Sequence, residues 1–283
     1  MPQDSAHLRK PLSFVRRSNK LKPSYQRSWD AALGQELLDV PHGDRDTSVA
    51  PGFSIDWEAE YSRFGGHGDA PLIVEIGSGS GEAVSAAAAN NPETNFLAIE
   101  VYRPGAAQLA ARIRREGLTN VRVACIDAVE LMDHLLPAAS VAELWIFFPD
   151  PWHKKKHNKR RLVQPAFVEK AARVIAPGGR WRLATDWSDY AVQMREVISA
   201  SSSFTNPHAG ERTGEESALT RVRLDDLDAR SLGKETHPLP LEEALDHEGG
   251  WAPRFEGRVL TDFEAKALNV GRQIFDLTYL RSE

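Results

Sequence analysis

The sequence predicts an α/β fold, a mostly parallel sheet with helices on both faces, and three observations carry that prediction. Short apolar runs alternate with helix-forming segments from Leu72 onward, which implies right-handed crossovers between parallel strands. A glycine turn joins the first run to the first helix of the series. Carboxylates then recur at or just after the ends of the runs, at Glu75, Glu100, Asp127, Asp150 and Asp186, and the carboxyl ends of the strands are where such sheets bind ligands. A lone loop acid is usually a solvated one, but five at equivalent positions form a pattern.

Taken in order, residues 1–27 hold seven Lys/Arg against Asp4 alone, a charge of +6 that leaves −11 on the remainder of a chain of net charge −5. Such an arm suits a nucleic-acid binder and equally a disordered solubilising tail. Ala31 to Leu38 is a short helical possibility. Phe53, Trp57, Tyr61 and Phe64, spaced by four, four and three, read as packing on the approach to the sheet. Residues 1–68 are therefore expected to be an arm and approach segment, and 69–283 the main domain. Its strands are expected at Leu72–Ile76, Phe96–Ile99, Val121–Ile126, Glu143–Phe148 and Arg180–Ala184. Between them, an alanine-rich helix follows GSGSGE, and Pro104–Glu116, Val129–Leu135, Gln164–Ile175 and Ser188–Ser199 read as helices. Pro177-Gly178-Gly179 closes the fourth of these five. Ser201 to Gly250, with eleven acids against five Lys/Arg, reads as a surface excursion, with an insertion at about 204–250. From Trp251 apolar content returns, suiting a helix and then a closing strand.

Gly77, Gly79 and Gly81 form GxGxG between strand and helix, a turn that several nucleotide cofactors use. The dinucleotide pattern requires a small residue at position 82, and Glu82 stands there. Glu75 would repel a pyrophosphate but suits an ammonium or sulfonium. Glu100 is placed for ribose hydroxyls and Asp127 for an adenine amino group. This acidic ring fits S-adenosylmethionine better than NAD.

Leu144 to Arg161, LWIFFPDPWHKKKHNKRR, passes from a buried run through a proline-flanked carboxylate into dense positive charge. Phosphates are the expected ligands, with affinity falling steeply in salt. His153 and His157 have metal-pair spacing, yet no third ligand is near and the surrounding cations oppose a metal, so none is expected. Trp152 either stacks on a base or anchors the loop. Thr261 and Glu264 in TDFE also read as a helix capping box.

EIGSGSGE, Glu100, Asp127, FFPDPWHKKKHNKRR, the LATDW of Leu183 to Trp187 and TDFEAKAL together resemble the bacterial tRNA (guanine-N7-)-methyltransferases, of the class I S-adenosylmethionine-dependent methyltransferase family. SFVRR in the arm is also similar, and the likeness extends through the chain apart from about Phe204 to Gly250. It implies a Rossmann-like seven-stranded sheet and methylation of the guanine at position 46 of the tRNA variable loop. Carried over by position, it implies cofactor contacts from Glu75, Gly77, Gly79, Glu100, Asp127 and Asp150, with Asp150 as the catalytic residue. Lys154, Asp186, Thr261, Asp262, Phe263 and Glu264 become substrate-binding, and Lys156, His157, Asn158, Lys159, Arg160 and Arg161 RNA-binding. The run is richer in lysine than the family's, which keeps charge but loses the bidentate fork.

Guanine N7 already has an unshared pair, so catalysis should rest on alignment, with Asp150 and Asp186 stabilising the positive charge that develops on the base. One rival is a small-molecule or protein methyltransferase, indifferent to the arm and to salt; another is a noncatalytic RNA-binding module. The expected partner is tRNA, and a monomer is expected. A single cysteine, Cys125, excludes an internal disulfide framework, and the missing long apolar run leads us to expect a cytoplasmic protein without a membrane partner.

Overall fold

The computed structural model describes residues 14, 20–211, 248–269 and 272–283. Most of the basic arm and residues 212–247 of the acidic stretch lie outside them, so expectations for Arg9, Lys10, Arg16 and Arg17 are not addressed. The described chain runs α1 (Pro23–Ala32), α2 (Trp57–Ser62), β1 (Leu72–Ile76), α3 (Glu82–Asn90), β2 (Asn95–Ile99), α4 (Arg103–Glu116), β3 (Val121–Ala124), α5 (Ala128–His134) and β4 (Val141–Phe147). A 3-10 helix (Lys155–Arg160), α6 (Pro165–Val174), β5 (Ile175–Thr185), α7 (Ser188–Ser199), β6 (Phe204–Thr205), the helix Asp262–Asn269, here α8, and β7 (Phe275–Arg281) follow.

The seven strands form one sheet in the order β3-β2-β1-β4-β5-β7-β6. Pairings through β5 are parallel, and β7 runs antiparallel to both β5 and β6. This is the α/β Rossmann-like architecture. The chain reverses its progress across the sheet between β1 and β4, opening a crevice at their carboxyl ends. Successive residues face opposite sides. Leu97 and Leu144 join one buried cluster, while Phe96, Ala98 and Trp145 join the other. Two-sided burial explains why these strands read as continuous apolar runs.

Three departures from the sequence reading have physical causes. A helix starts at Pro23, not Ala31, because proline is well placed in a first turn; Leu33 and Leu37 instead form isolated bridges, Leu37 with Val123. This helix docks through Trp29, whose ring faces the Arg103 guanidinium at 4.3 Å. β5 begins at Ile175, and Pro177-Gly178-Gly179 is an irregularity within its pairing, where the register shifts between Val141 and Glu143. Phe204 and Thr205, expected within the insertion, pair with β7 as β6. Phe204 is buried with its ring 5.3 Å from Trp181. The approach aromatics pack as the sequence reading expects: Tyr61 donates from its hydroxyl to the Phe96 carbonyl at 2.8 Å, and Arg122 lies 3.7 Å over Phe64. Among the described residues, no helix is long and apolar enough to cross a membrane.

Candidate active site

The turn after β1 needs its glycines. Gly79 has φ 56° and Gly81 φ 76°, both in the left-handed region. A Cβ on Gly81 would lie 2.0 Å from Leu109 Cδ1, so this glycine also lets α3 pack closely on α4. Freed to approach β2, Gly79 donates from its backbone N–H to Glu100 Oε2 at 2.8 Å, while the Tyr102 N–H donates to Oε1 at 2.7 Å. Glu100 is thereby oriented between the ends of β1 and β2.

Above this turn lies a cavity of about 250 Å³, lined by Gly77, Gly79, Glu100 and Asp150 together with apolar groups that include Ile76, Val101, Tyr102, Phe147 and Phe148. Phe14, the described residue of the arm's SFVRR, also lines it. Glu75 is buried beside the turn, and its Oε2 has no hydrogen-bond partner. Burial first, and then the Glu100 charge, push its carboxyl up to about 8. Asp127 caps α5, accepting from the Val129 N–H at 2.8 Å. Burial raises its carboxyl too, against lowering by that hydrogen bond and by Arg45. Its neighbour Ala128 reaches the cavity wall.

β4 delivers Asp150 to the same cavity through a strained turn. Phe148 has φ 53° and Trp152 φ 49°, conformations that cost a non-glycine residue free energy and concentrate at functional sites. The Phe148 ring meets Phe263 of α8 at 5.2 Å, and Phe263 is half exposed at 52%. Thr261 Oγ1 accepts from the Glu264 N–H at 3.2 Å, the forward half of a capping box. The Asp262 N–H donates to Glu82 Oε2 at 2.8 Å. Asp186 is buried and paired with Arg272 at 2.5 Å.

Not every expected ligand residue faces outward. Glu264 is 1% exposed, and its carboxylate is held by Arg254 and Arg258 at 3.0 Å. Held in this way, Glu264 fastens α8. Arg161, expected among the RNA-binding residues, is likewise held inside the fold, where it anchors the loop. Its Nε donates to the Pro151 carbonyl at 2.8 Å, Nη1 to Gln193 at 2.6 Å and Nη2 to Asp189 at 2.5 Å. The Asn158 amide nitrogen, in the orientation its surroundings favour, donates to the carbonyls of Trp152 and Lys154 at 3.2 Å. Trp152 carries the Arg160 guanidinium on its face at 3.7 Å and the His157 ring at its edge. His153 packs 4.3 Å from the Trp187 ring. The two histidines thus engage different aromatics. Slight desolvation and then the charges of Lys156, Arg160, Lys154 and Lys159 lower the His157 pKa. Lys154, Lys155, Lys156 and Lys159 present their charge to solvent.

Sequence reasoning missed Arg258. It is fully buried, bonded to Asp276 at 2.5 Å as well as to Glu264, and lies 5.2 Å from Phe147 and 5.6 Å from Phe148. It ties α8, β7 and the end of β4 into one unit. The signal available was an arginine three residues before an apparent capping box, which is too common to single out.

The arrangement can hold a cation against carboxylates under a glycine turn, beside a surface rich in lysine. Residues 69–225 match a family model described as "Putative methyltransferase". A tRNA (guanine-N(7)-)-methyltransferase of Paenarthrobacter aurescens is 50% identical over 279 residues, covering 95% of this chain and 91% of its own. One from Bifidobacterium longum is 44% identical over 284 residues, covering 96% and 89%. The solved structure of the 16S rRNA methyltransferase KamB is 17% identical with a TM-score of 0.46, covering 86% of this chain and 99% of its own. On the identity and coverage of the two sequence relatives, the chain belongs to the tRNA (guanine-N(7)-)-methyltransferase family.

Proposed function

We propose that this protein transfers a methyl group from S-adenosylmethionine to N7 of a guanine in tRNA, at position 46 of the variable loop. The observation that carries the reading is the buried Glu75 carboxylate with its unpartnered Oε2, beside a Glu100 oriented by the glycine turn. A buried carboxyl oxygen without a hydrogen-bond partner, next to a second acid, is a costly arrangement for an anionic ligand and a favourable one for a cationic ligand. The fit to S-adenosylmethionine is therefore good: Glu75 for its ammonium, Glu100 for ribose hydroxyls, and the apolar groups around Val101 and Ala128 for adenine. When bound, that cofactor supplies an electrophilic methyl carbon on a sulfonium.

The chain's own residues supply alignment and charge. Asp150 at the cavity and Asp186, next to the Trp187 whose ring packs on His153, orient the guanine edge and stabilise the positive charge gained by the base. No proton has to leave N7 before attack, so Asp150 acts through charge and orientation. Lys154, Lys156 and Lys159 hold phosphates, with Arg160 and His157 fixed around Trp152. Thr261, Asp262 and Phe263 edge the substrate side of the cavity through the Phe148 contact. The protein works as a methyltransferase domain with an N-terminal basic arm.

The test is methyl transfer from labelled S-adenosylmethionine to unmodified tRNA, with the product mapped by cleavage at 7-methylguanosine. Label at the variable-loop guanine, lost in Asp150→Ala, is the expected result. Cofactor binding with no transfer to any tRNA would overturn the acceptor.

A further inference from the structure

We infer that the groove between α1 and α4 is a second contact surface for the RNA backbone, on the opposite side of the cavity from the Lys154–Lys159 run. This inference rests on the tRNA reading above. Two adjoining hollows of about 210 and 580 Å³ lie along the groove, and both are lined by Ser28 and Arg115. Arg112, Gln108 and Ser80 line the first, and Arg27 lines the second. Cations with hydroxyl and amide groups beside them are the donor set that phosphate oxygens take.

The groove is built rather than incidental. Arg114, next to these cations, is clamped to Glu36 at 2.6 and 3.0 Å and to the Ala31 carbonyl at 2.6 Å, which locks α1 against α4. Glu116 is the acid among them, 3.0 Å from Arg115 and 3.9 Å from Arg112. Exposed pairs of this kind are weak and yield to a stronger anion. Arg27 and Lys22, two of the seven cations of residues 1–27, are exposed on α1 and its cap, so part of that positive charge lies along the groove.

Its placement matches the chemistry. Ser80 adjoins Gly79, which lines the cavity, so one end of the groove opens beside the glycine turn. The strand order sets β2, from which α4 descends, on one side of β1, and β4, which leads to the lysine run, on the other. An RNA strand delivering a base to the carboxyl ends of β1 and β4 meets cations on both flanks. The RNA would then be held on both flanks of the target nucleotide.

The test compares full-length wild type with the triple variant R27Q/R112Q/R115Q, measuring unmodified tRNA binding by fluorescence anisotropy from low to high salt. Each lost phosphate contact to a single strand removes about 0.7 from the slope of log K against log salt. The triple variant is expected to lose about two units of slope and to bind about tenfold more weakly near 0.15 M salt, while S-adenosylmethionine binding is unchanged. R27K/R112K/R115K should keep most of the slope, since the charge remains. K155Q/K156Q/K159Q serves as the comparison from the other flank. If wild type and the lysine variant behave as expected but the arginine triple keeps wild-type affinity and slope, the groove inference is overturned alone. If wild type shows no tRNA binding, the tRNA reading falls and takes the groove with it.

Discussion

Arg161 Nη2 and Asp189 Oδ2 lie 2.5 Å apart, joining the end of the basic run to the first turn of α7. The Arg161 side chain is 1% exposed and the Asp189 side chain 50%, so the arginine bears the larger desolvation and depends on all three of its protein partners. Its guanidinium also lies 4.9 Å over the Tyr190 ring. The last cation of a seemingly uniform basic stretch is thus the bolt that holds the stretch in place.

Arg161→Ala should accordingly destabilise the fold by about 2–3 kcal/mol, because the Pro151 carbonyl and Gln193 lose a buried donor. Lys159→Gln should change stability by about 0.5 kcal/mol or less, yet weaken tRNA binding and reduce its salt dependence. Urea unfolding and salt-dependent binding measured on both variants separate the roles. An Arg161→Ala protein of wild-type stability with a reduced salt slope would restore Arg161 to the RNA surface.

The second prediction concerns Glu75. Its carboxyl is raised to about 8 in the fold, so between the ordinary carboxylate range and that value the native state holds a proton that the unfolded chain has released. The contribution to stability is therefore fully present at low pH, and it is lost as pH rises through about 8. The unliganded protein should lose melting temperature across this window more steeply than Glu75→Gln does. Binding of a cationic cofactor favours the ionised carboxylate, so near neutral pH S-adenosylmethionine should release a proton. Calorimetry in buffers of different ionisation enthalpy measures it, and identical enthalpies in all buffers would refute the coupling.

What was legible in the sequence follows from which interactions are local. β1 to β4 read clearly because two-sided burial turns each into a continuous apolar run, and Leu72–Ile76 matches to the residue. Carboxylates at strand ends were legible because topology alone places them. β6 was not, since two residues carry no periodicity and Phe204 owes its place to Trp181. α1 was displaced because its docking face depends on α4, about eighty residues away. The fates of Arg161 and Glu264 were hidden for the same reason. A charge reads as a ligand contact until its partner is known, and Asp189, Gln193, Arg254 and Arg258 announce nothing on their own.

Arg258 yields a third prediction. It is the shared counter-charge of two buried carboxylates, Glu264 and Asp276. The hydrogen bonds and charges of Arg254 and Arg258 hold Glu264 below the usual carboxylate range despite burial, whereas burial prevails at Asp276 and raises it. Removing one partner of a buried pair costs about 3–5 kcal/mol, so Arg258→Met should unfold at markedly lower urea concentration. Arg258→Met/Glu264→Gln/Asp276→Asn, which removes the buried charges together, should recover part of that loss. A single variant as stable as wild type would show that solvent reaches the network.

The last prediction turns on Glu82, which stands where a dinucleotide-binding turn would require a small residue. Its carboxylate accepts from the Asp262 N–H at 2.8 Å, so the first turn of α3 caps a helix 180 residues further along the chain. A negative group is favourable at a helix N-terminus through both the hydrogen bond and the dipole. Thr261 Oγ1 satisfies a different donor there, the Glu264 N–H. Glu82→Ala should therefore cost about 1 kcal/mol, felt mainly in α8, and amide exchange at Asp262 and Phe263 should quicken while that of β1 and β2 stays unchanged. Glu82→Gln, whose carbonyl still accepts, should restore slow exchange. Because Phe263 on this helix meets Phe148 at the cavity, the alanine variant should also raise the KM for tRNA more than it lowers kcat. Unchanged exchange in α8 would mean that Thr261 alone secures the helix, and the link from the glycine turn to the substrate side of the cavity would be lost.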